Sequence, residues 1–246
     1  MRSRAPRFEI LHEDDHLIAL VKPAGLPTAN APAGTDSVFT LLGRAGPPGS
    51  FLGVVSRLDA PVSGVLVMAK TRAAAADLSE QFRSRSVNKR YIAVVEGRFP
   101  APLGRWDDWH DTIAPPDSLR PGDRRAGRGL PHARRGTAAD APDAGGRPAH
   151  VRARVVRRAG EVSLVELEPS TGRRHQLRQQ LSRRGCPIVG DRRYGSRIPL
   201  AEGVIALHAA GLSLDHPATG ARLSLEAPGP AEWRERFPAL FASRYR

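Results

Sequence analysis

Asp59 is the carboxylate with the most chemical promise in this chain. It follows Arg57 and Leu58 and precedes a bend of small residues, Ala60, Pro61, Ser63 and Gly64. The apolar run 65–69 that comes next is long enough for one buried strand. A carboxylate on a loop held just ahead of a core strand suits a rigid nucleophile or general base. The competing reading is an Asp that only caps a turn, a common use of the residue. A second polar stretch runs Thr171-Gly172-Arg173-Arg174-His175-Gln176-Leu177-Arg178. Arg173, Arg174 and the backbone amides at the mouth of the helix expected there suit phosphate oxygens. Lys22 and Lys89 are further cations for the same task. Eight His and one Cys show no close metal-ligand spacing, so no zinc site is expected.

The elements that must position these residues follow from periodicity. Residues 8–11 and 17–21 read as strands around an acidic turn at Asp14-Asp15, and the Lys22-Pro23-Ala24-Gly25 run ends the second. Residues 27–50 are rich in Pro, Gly and small residues, with a short helix over 36–42 capped by Asp36 or Ser37. Thr71 suits the N-cap of a helix over 72–84, where Leu78 and Phe82 share a face. Residues 87–96 alternate as a strand, with Tyr91, Ala93 and Val95 pointing one way. Residues 151–156 and 162–167 form a hairpin around Arg158-Ala159-Gly160, and residues 173–184 a helix. Residues 204–214 and 222–225 are strands, and residues 230–241 a closing helix whose Trp233, Phe237, Leu240 and Phe241 belong to the core. From Pro100 to Ala149 there are eight Pro and seven Gly. Apolar periodicity is lost there, and a loop or insert is expected over about 98–148.

Composition sets the class. The chain has 246 residues, enough for a sizeable core, and no apolar run approaches the roughly 18 residues of a membrane helix. The basic start lacks an apolar segment behind it, so it is not a secretory signal, and a single cysteine fits a reducing cytoplasm. The formal net charge is +13. It gathers at the second motif: residues 171–197 hold eight Arg against one Asp, whereas residues 100–149 hold eight Arg against seven Asp. That concentration points to a polyanion, most simply nucleic acid.

Taken in order, the motifs resemble the RluA-type pseudouridine synthases. Arg57-Leu58-Asp59, Ser63-Gly64 and the strand ending in Ala69-Lys70 resemble that family's first signature. The stretch from Thr171 to Arg178, then Gly185-Cys186-Pro187-Ile188-Val189-Gly190-Asp191 and Tyr194-Gly195, resembles its second. Lys22-Pro23-Ala24-Gly25-Leu26-Pro27, Lys89-Arg90-Tyr91-Ile92-Ala93, and Leu207-His208-Ala209 with His216-Pro217 match in sequence order. The resemblance covers most of the chain outside about 98–148. It implies an α+β fold: a mixed, largely antiparallel central sheet with flanking helices and an RNA cleft. It also implies one catalytic domain over 1–246, with no separate N-terminal RNA-binding domain.

The implied activity converts uridine to pseudouridine in ribosomal or transfer RNA, with no metal or cofactor, by a monomer. By resemblance Asp59 is the catalytic carboxylate, acting by attack at C1′ or proton abstraction at C2′. Tyr91 stacks on the uracil and is a candidate to remove the C5 proton. Arg178 is the ion-pair partner of the carboxylate, Leu177 packs in the same pocket, and Arg57 helps displace the base from its stack. His175 is structural. Ser56 stands where the family usually has His, and Val62 where it often has Thr. These departures keep open a catalytically inactive relative that holds RNA through its basic face. A hydrolytic glycosidase would need a second carboxylate, which the motifs do not offer.

Overall fold

A computed structural model describes residues 8–99, 102–113 and 146–242. These fall into two compact units. One runs up to Lys89 and adds His208–Pro228; the other takes Arg90–Leu207 and continues from Gly229.

The first unit is built on β2 (Leu17–Lys22) and β4 (Ser63–Ala69), both almost wholly buried. They pair antiparallel, Leu17 opposite Ala69 and Lys22 opposite Gly64. Strands covered on both faces read as continuous apolar runs, which is why 65–69 stood out in the sequence. β1 (Glu9–Glu13) pairs with β2, and the two-residue β3 (Gly53–Val54) with the end of β4. β9 (Leu207–Asp215) runs parallel to β4, Ser63 opposite His208, and β10 (Arg222–Glu226) returns along β9 as a hairpin. On one sheet face Leu17, Ala19, Val65 and Val67 bury with Ala74 and Leu78 of α2 (Arg72–Ser84), Leu212 and Leu214. On the other, Ile18, Leu20, Leu66 and Met68 bury with Val38 of α1 (Val38–Ala45).

Both helices start where their caps dictate. The Thr71 hydroxyl accepts from the Ala74 N–H at 3.1 Å. Ser37, rather than Asp36, caps α1 through a reciprocal box with Thr40.

The second unit is an antiparallel sheet in the order β5 (Asn88–Glu96), β8 (Val162–Pro169), β7 (Arg147–Ala159), β6 (Asp107–Ile113). β6 corrects the expectation of a loop throughout 98–148. It pairs with β7 along its whole length, Asp107 opposite Ala153 and Ile113 opposite Arg147. Trp109 and Ile113 point inward and are buried, but the other residues on their face are Asp107 and Asp111. Asp107 accepts from Trp109 Nε1–H at 3.1 Å, and Asp111 from Gln180 at 2.7 Å and Arg184 at 3.1 Å. Two acids on the inward face hide the alternation from a sequence reading, and the partners that satisfy Asp111 lie far along the chain. Residues 100–101 and 114–145, the rest of the expected insert, lie outside the described residues.

α3 (Gln176–Arg183) begins later than its sequence pattern implied. The Gln176 side chain accepts from the Thr171 hydroxyl at 2.7 Å and the Arg173 N–H at 3.1 Å, fixing residues 171–175 as a turn. The expected closing helix is two short ones, α4 (Ala231–Arg236) and α5 (Pro238–Phe241). Pro238 has no N–H to continue the first. Trp233 and Leu240 are buried as expected, while Phe237 and Phe241 are half-buried. No described helix is long and apolar enough to cross a membrane.

Candidate active site

Asp59 lies half-buried on the loop between β3 and β4, and the loop is pinned on both sides of it. Before it, Leu58 donates its N–H to the Thr28 hydroxyl at 3.1 Å, and that hydroxyl donates to the Leu58 carbonyl at 2.9 Å. After it, the Val62 N–H closes a turn on the Asp59 carbonyl at 3.0 Å, and the Gly25 N–H reaches the Ala60 carbonyl at 2.8 Å. The following strand is fixed against β9 by a close approach. A Cβ on Gly64, whose φ is +118°, would fall 2.3 Å from the Ala209 carbonyl oxygen. Ser63 Oγ lies 2.8 Å from His208 Nδ1, and the other ring nitrogen of His208 lies 3.3 Å from the Ala227 carbonyl. That pair makes Nε2 the protonated nitrogen and the serine the donor to Nδ1. Neither residue emerged from the sequence as part of the support of Asp59.

Lys22 is corrected by its surroundings. It is 0% exposed, and its ammonium donates to the carbonyls of Pro23 at 2.8 Å, Leu26 at 2.7 Å and Ala60 at 3.1 Å. All three of its donors are committed, so it ties the Lys22-Pro23-Ala24-Gly25-Leu26-Pro27 segment to the Asp59 loop and does not reach a phosphate. Burial pushes its pKa down to about 7, against the opposing pull of the Asp59 charge. Lys89 is half-buried, and burial, reinforced by the Arg85 charge, lowers it to about 8. Arg57 stands exposed on the Asp59 loop.

In the second unit, Tyr91 is half-buried on β5 opposite Leu167 of β8. Leu177 and Arg178 are buried on the first turn of α3. Arg178 is 7% exposed and chelates Asp191, which is 1% exposed: Nε donates to Oδ2 at 2.7 Å and Nη2 to Oδ1 at 2.9 Å. The ring of Tyr194 lies under the guanidinium, 4.9 Å from its carbon to the ring centre. His175 Nδ1 meets the Tyr194 hydroxyl at 2.8 Å. Arg173 is half-buried and donates through Nε to the Pro148 carbonyl at 3.2 Å, while Arg174 is exposed. Asp191 and Tyr194 were legible only as a Gly-Asp turn and a Tyr-Gly pair. Nothing in their spacing announces a clamp on Arg178.

Two other groups of reactive side chains carry no chemistry of this kind. Burial raises the Cys186 thiol to about 11, so it stays protonated. His12, Asp14 and His216 bring ligand-type atoms within 4.8 Å of one another. However, His216 Nδ1 receives the N–H groups of Ala218 at 3.3 Å and Thr219 at 3.2 Å. Its Nε2 therefore carries the proton and donates it to Asp14 at 2.6 Å. A metal on Nε2 would need that proton moved to the nitrogen those amides already face. The arrangement is a hydrogen-bonded clasp between the turn after β1 and the β9–β10 hairpin.

Residues 16–183 match the family model described as RNA pseudouridylate synthase. The chain is 33% identical over 230 residues to the ribosomal large subunit pseudouridine synthase C of Escherichia coli, covering 89% of this chain and 66% of the relative. It is 34% identical, with the same coverage, to the protein of that name from Salmonella typhimurium. This chain thus spans about two thirds of the length of those relatives. The solved structure of human RNA pseudouridylate synthase domain containing 4 superposes with a TM-score of 0.72 at 26% identity, covering 95% of this chain and 93% of that one.

Proposed function

Because this chain belongs to the RNA pseudouridylate synthase family, we propose that it isomerises uridine to pseudouridine in structured RNA, ribosomal or transfer, with Asp59 as its catalytic carboxylate. The observation that carries the reading is the Asp59 loop: a half-buried carboxylate, pinned through Leu58 and Ala60, directly ahead of the β4 core strand.

In this reaction the N1–C1′ bond breaks and a C5–C1′ bond forms. The C5 proton leaves and N1 ends protonated, so no electrons are exchanged with a redox partner. A carboxylate serves either by attacking C1′ or by removing the C2′ proton, and rigid placement on a pinned loop favours both. Tyr91 is the proposed stacking partner of the uracil and candidate acceptor of the C5 proton. Arg178 is the cation set against the carboxylate, Leu177 a wall of the same pocket, and Arg57 the residue that helps hold the target base out of its stack. Arg173 and Arg174 are proposed phosphate contacts. The family match spans residues of both units, which supports reading them as one synthase domain.

The test is pseudouridine mapping at single-nucleotide resolution in total RNA from a strain lacking this gene, after incubation with the purified protein or its Asp59→Ala variant. New sites that vanish with Asp59→Ala are expected, with RNA affinity largely kept. Full activity of Asp59→Ala would refute the assignment.

A further inference from the structure

Asp191 and Tyr194 hold the Arg178 guanidinium, and both come from one short turn. Asp191, Arg192, Arg193 and Tyr194 alternate in burial as buried, exposed, exposed, buried. The turn is closed by the Tyr194 and Ser196 N–H groups on the Asp191 carbonyl, at 3.0 and 3.1 Å. Ser182 on the last turn of α3 donates its hydroxyl to the Tyr194 carbonyl at 2.7 Å, so the helix carrying Arg178 and the turn carrying its partners are bonded directly. Gly190, with φ +86°, lets the chain enter the turn where a Cβ would meet the Val204 carbonyl at 2.6 Å.

A guanidinium has five N–H donors in a fixed fork. Asp191 takes two of them, Nε–H and one on Nη2, which fixes the plane and the rotamer. The Tyr194 ring covers one face, and His175 holds the Tyr194 hydroxyl. Three N–H donors of the fork remain beyond the two that Asp191 takes. An arginine alone spreads over many rotamers; this one has a single orientation imposed by a buried carboxylate and a buried ring.

We infer that Asp191 and Tyr194 are positioning residues that hold the Arg178 guanidinium in its working orientation. The inference rests on the proposed role of Arg178 beside the catalytic carboxylate. Neither residue touches the reacting atoms; both act through Arg178.

The experiment measures kcat and KM for pseudouridine formation on an RNA shown to be a substrate, in Asp191→Asn, Asp191→Glu, Tyr194→Leu and Tyr194→Phe, with Asp59→Ala alongside and melting curves for all. For Asp191→Asn, kcat is expected to fall by about 10- to 100-fold, the scale of a misplaced catalytic group, with KM little changed. Asp191→Glu should recover part of that loss. Tyr194→Leu should follow Asp191→Asn, and Tyr194→Phe, which keeps the ring, should lose little. A second arm uses Arg178→Ala with added guanidinium. Rescue is expected where Asp191 is present and not in Arg178→Ala/Asp191→Asn, a dependence that general destabilisation does not produce. If Asp191→Asn fails to fold, the Tyr194 pair decides. Wild-type kcat in folded Asp191→Asn and Tyr194→Leu, with Asp59→Ala inactive, would overturn the positioning role and leave the proposed function intact. An active Asp59→Ala would overturn that function, and this inference with it.

Discussion

A lysine that follows an apolar strand reads as a surface cation, yet Lys22 is buried with three carbonyls around its ammonium. Its side chain bridges the two segments that set where Asp59 lies. Lys22→Met would fill similar volume while orphaning the carbonyls of Pro23 and Leu26 and leaving the Ala60 carbonyl with the Gly25 N–H alone. A buried acceptor left unpaired costs about 1–3 kcal/mol, so urea unfolding should show a loss of at least that size. Activity should fall further than stability, because one of the two tethers on the Ala60 carbonyl is released. The same lysine sets a pH dependence. Its folded pKa of about 7 lies below its ordinary value of 10.5. Between those limits the unfolded chain binds the extra proton, so stability rises with pH across that window. Below about pH 7 the cost of burying the charge is fully present. The rise is at most about 5 kcal/mol for Lys22. Lys89, lowered to about 8, adds to it from pH 8 upward. Unfolding midpoints at pH 6.5 and pH 9.5 should differ more in the wild type than in Lys22→Met; equal differences would show that the buried lysine does not titrate in this range.

At the scale of elements, the site depends on how β4 begins. Gly64 meets the Ala209 backbone of β9 at a distance no side chain fits, and its φ is positive. Gly64→Ala must therefore push apart the parallel β4–β9 pairing or bend the strand entrance. We expect a melting temperature lowered by 10 °C or more, or insoluble protein; a shift within about 2 °C, the scale of a surface substitution, would contradict the packing described. This contact also marks the limit of sequence reading. α2 was legible over its full length because its cap at Thr71 and its apolar face are local. β4 was legible because burial on both faces leaves a plain apolar run. The approach of Gly64 to Ala209 involves residues 145 apart, and a glycine in a polar bend looks the same whether or not a strand lies against it. β6 was missed for a related reason: its inward Asp111 is satisfied by Gln180 and Arg184, some seventy residues away. Asp191 is the same case within the site. As a turn residue it needs no partner, and only the fold reveals that its carboxylate belongs to Arg178.

For the molecule as a whole, a formal charge of +13 should make the proposed association with RNA strongly salt-dependent. The distribution of that charge allows a sharper statement. Arg174, Arg183, Arg192, Arg193 and Arg197 are all exposed within the stretch of eight Arg and one Asp. Arg192 and Arg193 face outward from the turn whose inward residues hold Arg178. If phosphates sit there, each lost contact lowers the slope of log affinity against log salt by about 0.7–0.9. Arg192→Gln/Arg193→Gln should then reduce the slope by about 1.4–1.8 and raise KM. Arg234→Gln/Arg236→Gln, exposed on α4, removes the same net charge elsewhere in the same unit. That pair should change the slope far less, because only a cation in contact with a phosphate releases its condensed counterion. Equal slopes for the two double variants, measured by RNA titration from low to physiological salt, would mean that the basic surface attracts RNA without the 191–194 turn marking where it lies.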